Sequence, residues 1–254
     1  MKDKVQPDIV TQELKKGFEW TTTHSKLVLI VIGALLVAGG AGAAYSFVNE
    51  RKETSLQEKY FVLENDYEKK KEQFDLYTAT ANQPADPKTK VAPKAQGVKA
   101  TGDLAQDYGT VEKGLRDLIN EAPSSRAGAM SALLLTDLYK SYNKGPEALE
   151  ILKKSSGTRG TMGAFVKAEL GTQMADQKDC EGAIKTWSDL AKDKSAAFMA
   201  PQLKLKMGLC AETLGKKNEA EDYYKQVIAD AKDTTAGRSA EKLLRLLQST
   251  TTVQ

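Results

Sequence analysis

The chain has 254 residues, and its 37 basic and 34 acidic side chains leave a formal net charge of +3. Charges this closely balanced do not indicate a nucleic-acid-binding protein. The one histidine, His24, lies near the N-terminus, so the bulk of the chain lacks the commonest general base and the commonest metal ligand. We expect no enzymatic activity, no metal site and no cofactor.

Residues 27–48 contain no charged side chain and are predicted to form one transmembrane helix. As an α-helix this run is about 33 Å long, which matches a hydrocarbon core of about 30 Å. A cleaved signal peptide is the alternative, because residues 41–44 form small-residue triplets of the kind found at cleavage sites. Against cleavage, the tail of residues 1–26 is long for the start of a signal peptide and carries four acidic side chains.

The tail of residues 1–26 is predicted to be cytoplasmic. Basic residues are equally frequent on the two sides of the apolar run, so they do not fix its orientation. We place the N-terminus inside because a large folded domain follows the run, and long domains are translocated largely regardless of charge.

Residues 49–79 are predicted to form a charged amphipathic helix. Its apolar side chains recur at spacings of three and four, with Lys70 interrupting the row, so they form one stripe along the helix. The stripe suits either packing on the domain that follows or a coiled-coil seam with another chain. Its members are Leu56, Tyr60, Leu63, Tyr67, Phe74 and Tyr77.

Residues 80–102 are predicted to be a loop, because three prolines prevent a regular helix and four lysines make the segment basic. Residues 103–250 are predicted to be helical throughout, without any strand pattern, so the fold class is all-α. Asn218 with Glu221 three residues later has the form of a capping box. After a first helix that ends at Pro123, the predicted helices span residues 127–141, 146–155, 162–175, 180–191, 201–214, 218–231 and 235–248.

The helical region repeats itself with a period of 37 residues. Gly171 and Trp187 have counterparts in Gly208 and Tyr224, and an alanine lies four residues before each aromatic residue. The small residues let the two helices of a hairpin approach closely, and the large residue fills the space between them. This pattern resembles the tetratricopeptide repeat, which implies an α-solenoid of helical hairpins.

The remaining units fit the pattern less closely. One unit aligns Thr136 with the glycines and Leu152 with the aromatic residues. In all three later units the closing proline is missing, and the aromatic residue expected early in the first helix is replaced by Ala132, Lys167 and Lys204. An earlier unit takes the helix that ends at Pro123 as its second helix and residues 49–79 as its first, with the proline-rich loop inserted between them. Leucines on the last helix are predicted to cap the stack, as terminal repeats must; they are Leu243, Leu244, Leu246 and Leu247.

The two cysteines fall at related places in this arrangement. Cys180 begins the second helix of one unit, and Cys210 lies late in the first helix of the next. An antiparallel stack brings these positions side by side, so one interpretation is a disulfide, which an oxidising compartment would permit. The other interpretation is two small core residues that never pair.

Solenoids of this kind bind peptides or proteins in the groove that their first helices line. The residues that face the predicted groove are substantially apolar, so we expect an apolar or amphipathic segment as the ligand. Some tetratricopeptide proteins clamp the acidic tail of a chaperone with lysine and asparagine side chains, and the corresponding positions here lack that set. Partial covering of the groove by residues 49–79 or by a second chain is the alternative. The predicted groove residues are Met130, Leu133, Asp137, Lys140, Phe165, Ala168, Thr172, Gln202, Leu205, Leu209 and Glu212.

A short tail, one membrane helix and then tetratricopeptide-like hairpins form an order that resembles the bacterial family of ancillary Sec-translocon subunits (YfgM-like). The resemblance implies a single-pass protein of the bacterial inner membrane with a periplasmic repeat domain. It also implies protein partners such as translocon subunits, periplasmic chaperones or other envelope proteins, and hence a scaffold or chaperone-like adaptor in protein translocation. The alternative is a structural subunit of a larger envelope-spanning machine, and the sequence leaves a homo-oligomer open.

Overall fold

The computed structural model describes residues 25–81 and 95–251; the predicted tail up to residue 24 and the predicted loop between 82 and 94 lie outside the described residues. Within the described ranges every regular element is a helix, which confirms the all-α prediction. The helices are α1 (Ser25–Ala81), α2 (Leu104–Glu121), α3 (Arg126–Ser141), α4 (Gly145–Ser155), α5 (Gly160–Asp176), α6 (Cys180–Ala191), a 3₁₀ helix (Lys194–Met199), α7 (Ala200–Thr213), α8 (Lys217–Ala231) and α9 (Thr235–Thr251).

Contacts divide the described residues into two compact units, with the boundary after Lys52. In the first unit, the predicted span of residues 27–48 includes side chains at 27–29, 31–35, 42, 43 and 45 that lie outside the described set. Among the residues that the structure describes, no helix combines the length and the apolar character needed to cross a membrane. The transmembrane helix therefore stays a prediction.

In the second unit, the apolar stripe of α1 packs within the chain. Tyr60 is buried in one cluster with Val111 of α2, and the rings of Tyr67 and Phe74 lie 5.3 and 5.5 Å from the ring of Tyr108. This part of α1 is therefore the first helix of a hairpin whose second helix is α2, as the repeat pattern predicted.

Lys70, which interrupts the stripe, has a specific partner on α2. Its Nζ donates a hydrogen bond to the backbone carbonyl of Asp107 over 2.8 Å. Asp107 lies next to a kink in α2, where Tyr108 has a φ of −132° and a ψ of 15°. A lysine can bury its aliphatic stem along an apolar seam while its ammonium group finds an oxygen acceptor, so the stripe continues past this residue.

The next three hairpins are α3 with α4, α5 with α6, and α7 with α8, and α9 packs on the last of them. Their internal turns have one geometry, in which a single residue with positive φ ends the first helix. The N–H of the following residue then donates to the carbonyl five positions earlier, which is a Schellman helix end. The three turn residues, with their φ values, are Asn143 (58°), Lys178 (66°) and Gly215 (72°).

The small-against-large packing that the repeat predicts is present inside the hairpins. Gly208 of α7 faces the ring of Tyr224 of α8, and a Cβ at Gly208 would come within 3.0 Å of ring atoms. The Tyr224 hydroxyl donates a hydrogen bond to the carboxylate of Glu212 on α7. Because Tyr224 is fully buried, its ring and its hydroxyl together fix the distance between the two helices.

Two details differ from the sequence-based expectations. The capping box at Asn218 does not form, because the tight turn at Gly215 starts α8 earlier, at Lys217, and leaves Asn218 inside the helix. The 3₁₀ helix before α7 was not predicted; it buries Ala196 between its neighbours.

At the C-terminal end of the stack, the four leucines of α9 are buried against α8 to different extents. Leu247 is buried, Leu243 and Leu244 are partly buried against the same cluster, and Leu246 is exposed.

The two cysteines are joined by a disulfide. Cys180 is the first residue of α6, Cys210 lies in α7, and their Cα atoms are 5.2 Å apart. The bond links the second helix of one hairpin to the first helix of the next.

Candidate protein-binding groove

The first helices of the three later hairpins, α3, α5 and α7, carry the predicted groove residues; we call the surface that these residues form the groove face. Polar side chains link neighbouring helices across it. Lys140 of α3 pairs with Glu169 of α5, with 3.1 Å between Nζ and Oε1. Lys206 of α7 donates to the hydroxyl of Thr172 on α5 over 2.7 Å. These links show that the groove face is continuous from α3 to α7.

Three large apolar side chains are exposed along this face. Phe165 of α5 and Leu209 of α7 are 39% and 43% exposed, and Phe198 of the 3₁₀ helix is 61% exposed. The rings of Phe165 and Phe198 meet edge to face with 5.8 Å between their centroids. The aromatic pair lies near the starts of α5 and α7, and Leu209 lies towards the end of α7. The groove face therefore offers apolar contacts at two places along its helices.

The α3 side of the groove face carries more negative than positive charge. Although the Asp137 side chain is exposed at the surface, partial burial of its carboxyl raises its pKa, the nearby Glu169 raises it further, and Lys140 opposes both. Partial burial alone would lower the pKa of the Lys140 ammonium, but its hydrogen bond to Glu169 and the negative charges of Glu169, Asp176 and Asp137 together outweigh burial and raise that pKa. Asp137 thus adds a carboxylate beside an ion pair that is already formed, so this end of the face is negative.

The predicted groove residues fall into three groups by exposure. Five are exposed, and four are partly buried and contribute only part of their side chains to the surface. Ala168 and Leu205 are buried. The exposed ones are Asp137, Lys140, Phe165, Gln202 and Leu209, and the partly buried ones are Met130, Leu133, Thr172 and Glu212.

The burial of Ala168 and Leu205 corrects the prediction that they face an open groove. Leu205 is 7% exposed because it belongs to the apolar cluster that Ala236 and Ala240 of α9 complete. Ala168 is 8% exposed, and its carbonyl accepts a hydrogen bond from Nε1 of Trp187 over 3.0 Å. Counting positions within one hairpin does not reveal that α9, which follows the last hairpin, covers Leu205.

Three groove-face residues escaped the sequence analysis: Phe198, Glu169 and Lys206. Glu169 and Lys206 lie next to predicted positions on the same helices, where hydrophobic patterning does not single out polar residues. Phe198 falls in the segment between two predicted helices and has no counterpart in the repeat. A large aromatic residue in the short segment between two helices is the signal that could have identified it.

Among the described residues there is no group of three or more histidine, cysteine, aspartate or glutamate side chains that could hold a metal ion.

Comparisons with known proteins do not assign a family. No protein-family model matches the chain, and no curated protein matches it either. Among solved structures, a crystal structure of MamA is similar over 59% of this chain and 89% of the MamA chain, with 19% identical residues and a TM-score of 0.42. A likeness at this level does not establish a shared function.

Proposed function

We propose that this chain is a protein-interaction scaffold whose groove face binds apolar or amphipathic polypeptide segments. The observation that carries the proposal is the exposure of Phe165, Phe198 and Leu209 on one face. The Phe165–Phe198 pair is an exposed apolar cluster rimmed by polar groups, which is typical of binding surfaces. Leu209 adds a second exposed apolar position on the same face. The polar links Lys140–Glu169 and Lys206–Thr172 hold this face in place without a ligand.

We further propose that residues 27–48 anchor the chain in a bacterial inner membrane, with the N-terminus in the cytoplasm and the hairpins in the periplasm. The uncharged run of spanning length supports an anchor. The disulfide between Cys180 and Cys210 supports an oxidising compartment, since structural disulfides persist there.

The partners that we propose follow from the family resemblance alone. They are translocon subunits, periplasmic chaperones, other envelope proteins or emerging exported chains, with the scaffold acting as a chaperone-like adaptor. We propose no catalytic role.

A fixed subunit of a larger envelope-spanning machine is the second candidate. The exposure of the adjacent Phe61 and Val62 on α1 favours it, because their neighbour Tyr60 is buried while these two present apolar surface outward. Stable co-purification with one partner at a fixed ratio would support this candidate over the adaptor.

The proposal is tested by a photo-crosslinking residue at Leu209 in the full chain in living cells, with adducts identified by mass spectrometry. A matched crosslinker at Lys225, which is exposed on α8, controls for random encounters. We expect adducts with translocon subunits, chaperones or exported chains at Leu209 and not at Lys225. Equal adducts at both positions would contradict a specific groove.

A further inference from the structure

A second concavity lies between α1, α2 and the end of α3, with a volume of about 500 Å³. This is within the range of ligand-binding pockets. None of the predicted groove residues lines it. Four aromatic side chains form its walls, and a lysine, an aspartate and an asparagine are among its other lining residues. We call it the aromatic cleft; the wall residues are Tyr67, Phe74, Tyr108 and Tyr142, and the polar residues include Lys71, Asp75 and Asn143.

The rings of the aromatic cleft are arranged around Tyr108. Phe74 and Tyr142 each meet Tyr108 at 83°, with 5.5 and 6.2 Å between ring centroids, and Tyr67 lies at 5.3 Å with a tilt of 33°. Tyr67, Phe74 and Tyr142 are only partly buried, so part of their surface is open to a guest. Several rings that surround one space attract organic cations, because each π face is negative.

Carboxylates make the surroundings of these rings negative. Burial raises the pKa of the Tyr67 hydroxyl, Glu68, Asp137 and Asp75 raise it further, and Lys71 opposes them. Burial also raises the pKa of Tyr108 to about 12, and carboxylates including Asp75 add to it.

The lysines near the aromatic cleft are already engaged. The Lys71 ammonium pairs with Asp75 over 2.6 Å, and the Lys70 ammonium donates to the Asp107 carbonyl. Asp107 itself accepts hydrogen bonds from Tyr142, Thr101 and Gly102, but it keeps its negative charge. Asp75 is in turn paired with Lys71, so the net negative charge around the rings comes from Glu68, Asp107 and Asp137. These carboxylates and the aromatic lining together favour a positively charged guest, which would compete with Lys71 for Asp75.

The aromatic cleft adjoins the groove face through α3. Leu138 and Ser141 of α3 line the cleft, while Asp137 and Lys140 of the same helix belong to the groove face. The charge of Asp137 also raises the pKa of the Tyr67 hydroxyl, so Asp137 lies within electrostatic range of one wall of the cleft. A polypeptide that lies along the groove face and continues past α3 would reach the cleft.

We infer that the aromatic cleft binds the guanidinium or ammonium group of a basic side chain, carried by the same polypeptide whose apolar residues contact the groove face. The inference rests on the proposed function and narrows its partner to segments that combine an arginine or lysine with apolar residues. Tyr67 would recognise the cation through its π face. Asp75 would recognise it through charge, with the guest cation taking the place of Lys71 as its partner.

The first test uses acetyl-arginine amide and its neutral isostere acetyl-citrulline amide as probes. The full chain, purified in a mild detergent with ¹³C-labelled tyrosine and phenylalanine rings, is titrated with each and followed by NMR. We expect the arginine probe to shift the ring signals of Tyr67, Phe74 and Tyr108 and the citrulline probe to leave them in place. Equal shifts with both probes, or no shift with either, would overturn the inference.

Two variants probe the contacts. Asp75→Asn changes an exposed side chain and should weaken binding of the arginine probe by about threefold or more, whereas the control Asp66→Asn, also exposed on α1, should not. Tyr67→Leu keeps the cleft apolar and should also weaken binding. Unchanged affinity in Asp75→Asn would contradict the proposed charge recognition even if Tyr67→Leu fails to fold.

A second set of probes distinguishes a polypeptide ligand from a free organic cation. Peptides carry one arginine and one leucine separated by glycine–serine spacers of increasing length. We expect one range of spacing to bind about tenfold tighter than the arginine probe alone, and Leu209→Asp to abolish this gain without changing binding of acetyl-arginine amide. If no spacing improves binding, the cation that binds in the aromatic cleft does not belong to a polypeptide that also contacts the groove face. If apolar peptides also fail to bind the groove face while the arginine probe still shifts the rings, the proposed function fails and the cation site stands.

Discussion

The Trp187 indole occupies the space that a side chain at Gly171 would need. A Cβ at Gly171 would come within 3.0 Å of Nε1 and two ring carbons of Trp187. Real Cβ atoms essentially never approach other atoms so closely, so α5 and α6 pack at this distance only because residue 171 is glycine. Gly208 makes the same contact with Tyr224 one repeat later. In both hairpins, a glycine against a large ring sets the distance between the two helices.

Gly171→Ala should therefore destabilise the protein by about 1–3 kcal/mol, the usual cost of overpacking a core. Gly208→Ala should behave similarly, because its Cβ would meet the Tyr224 ring. The measurement is the free energy of unfolding in urea. The control is Gly109→Ala in α2, where a Cβ would have nothing within 4 Å, and stability should be unchanged or rise by up to about 1 kcal/mol. Equal losses in all three variants would contradict this packing.

The hairpin turns predict opposite effects of two substitutions at equivalent positions. Lys178 has a φ of 66°, which L-residues other than glycine adopt at a cost of about 1–2 kcal/mol. Lys178→Gly should therefore raise the free energy of unfolding by about 1 kcal/mol, and Gly215→Ala, where φ is 72°, should lower it by a similar amount. Thermal unfolding of both variants checks the sign, and a loss of stability in Lys178→Gly would show that the turn geometry is different.

The role of α1 as the first helix of a hairpin can be tested with two adjacent residues. Tyr60 is buried against α2, whereas Phe61 is 52% exposed. Tyr60→Ala should lower the free energy of unfolding by about 3–5 kcal/mol, as for other buried aromatic residues. Phe61→Ala should change it by less than about 0.5 kcal/mol. Similar small effects in both variants would mean that α1 does not belong to the folded stack.

The buried carboxylate of Asp107 predicts a pH dependence. Burial would raise its pKa, but hydrogen bonds from Thr101, Tyr142 and Gly102 outweigh burial and hold the pKa below its ordinary value. Because the folded state holds this proton less tightly than the unfolded state, Asp107 stabilises the fold above its unfolded pKa of about 3.9. That contribution is lost as the pH falls through the lower, folded pKa.

The free energy of unfolding should thus fall between about pH 5 and pH 3 more steeply in the wild type than in Asp107→Asn. At neutral pH the variant should be less stable by about 1–3 kcal/mol, because the asparagine amide keeps one acceptor oxygen where the carboxylate has two. Either the donors of Thr101 or those of Gly102 and Tyr142 then lose their acceptor. The exposed Asp66→Asn serves as the control. Parallel pH profiles for the wild type and Asp107→Asn would contradict the role assigned to this carboxylate.

Much of the stack could be predicted because its determinants are local. The spacing of apolar residues on α1 predicts its buried stripe. The repeat alignment predicts that a small residue such as Gly171 leaves space between the helices of a hairpin and that a large residue such as Trp187 fills it. The start of α8 was mispredicted at Asn218 because the backbone conformation of Gly215 overrides side-chain capping preferences.

The groove face was predicted less well because exposure depends on neighbours far along the chain. Leu205 occupies a groove position within its own hairpin, yet α9 buries it. Phe198 joins the face through a 3₁₀ helix that has no repeat counterpart. The aromatic cleft needs α1, α2 and α3 together, and no single stretch of sequence contains it.

Binding of immobilised peptides of varied sequence to the full chain tests the central claim, a groove face that binds apolar polypeptide segments, most directly. We predict that the wild type binds a subset of peptides enriched in aromatic and aliphatic residues. Leu209→Asp should lose that subset, because it places a carboxylate where the ligand's apolar side chain would lie, while the exposed control Lys225→Asp should keep it. Binding of the same peptides by wild type and Leu209→Asp would contradict the claim.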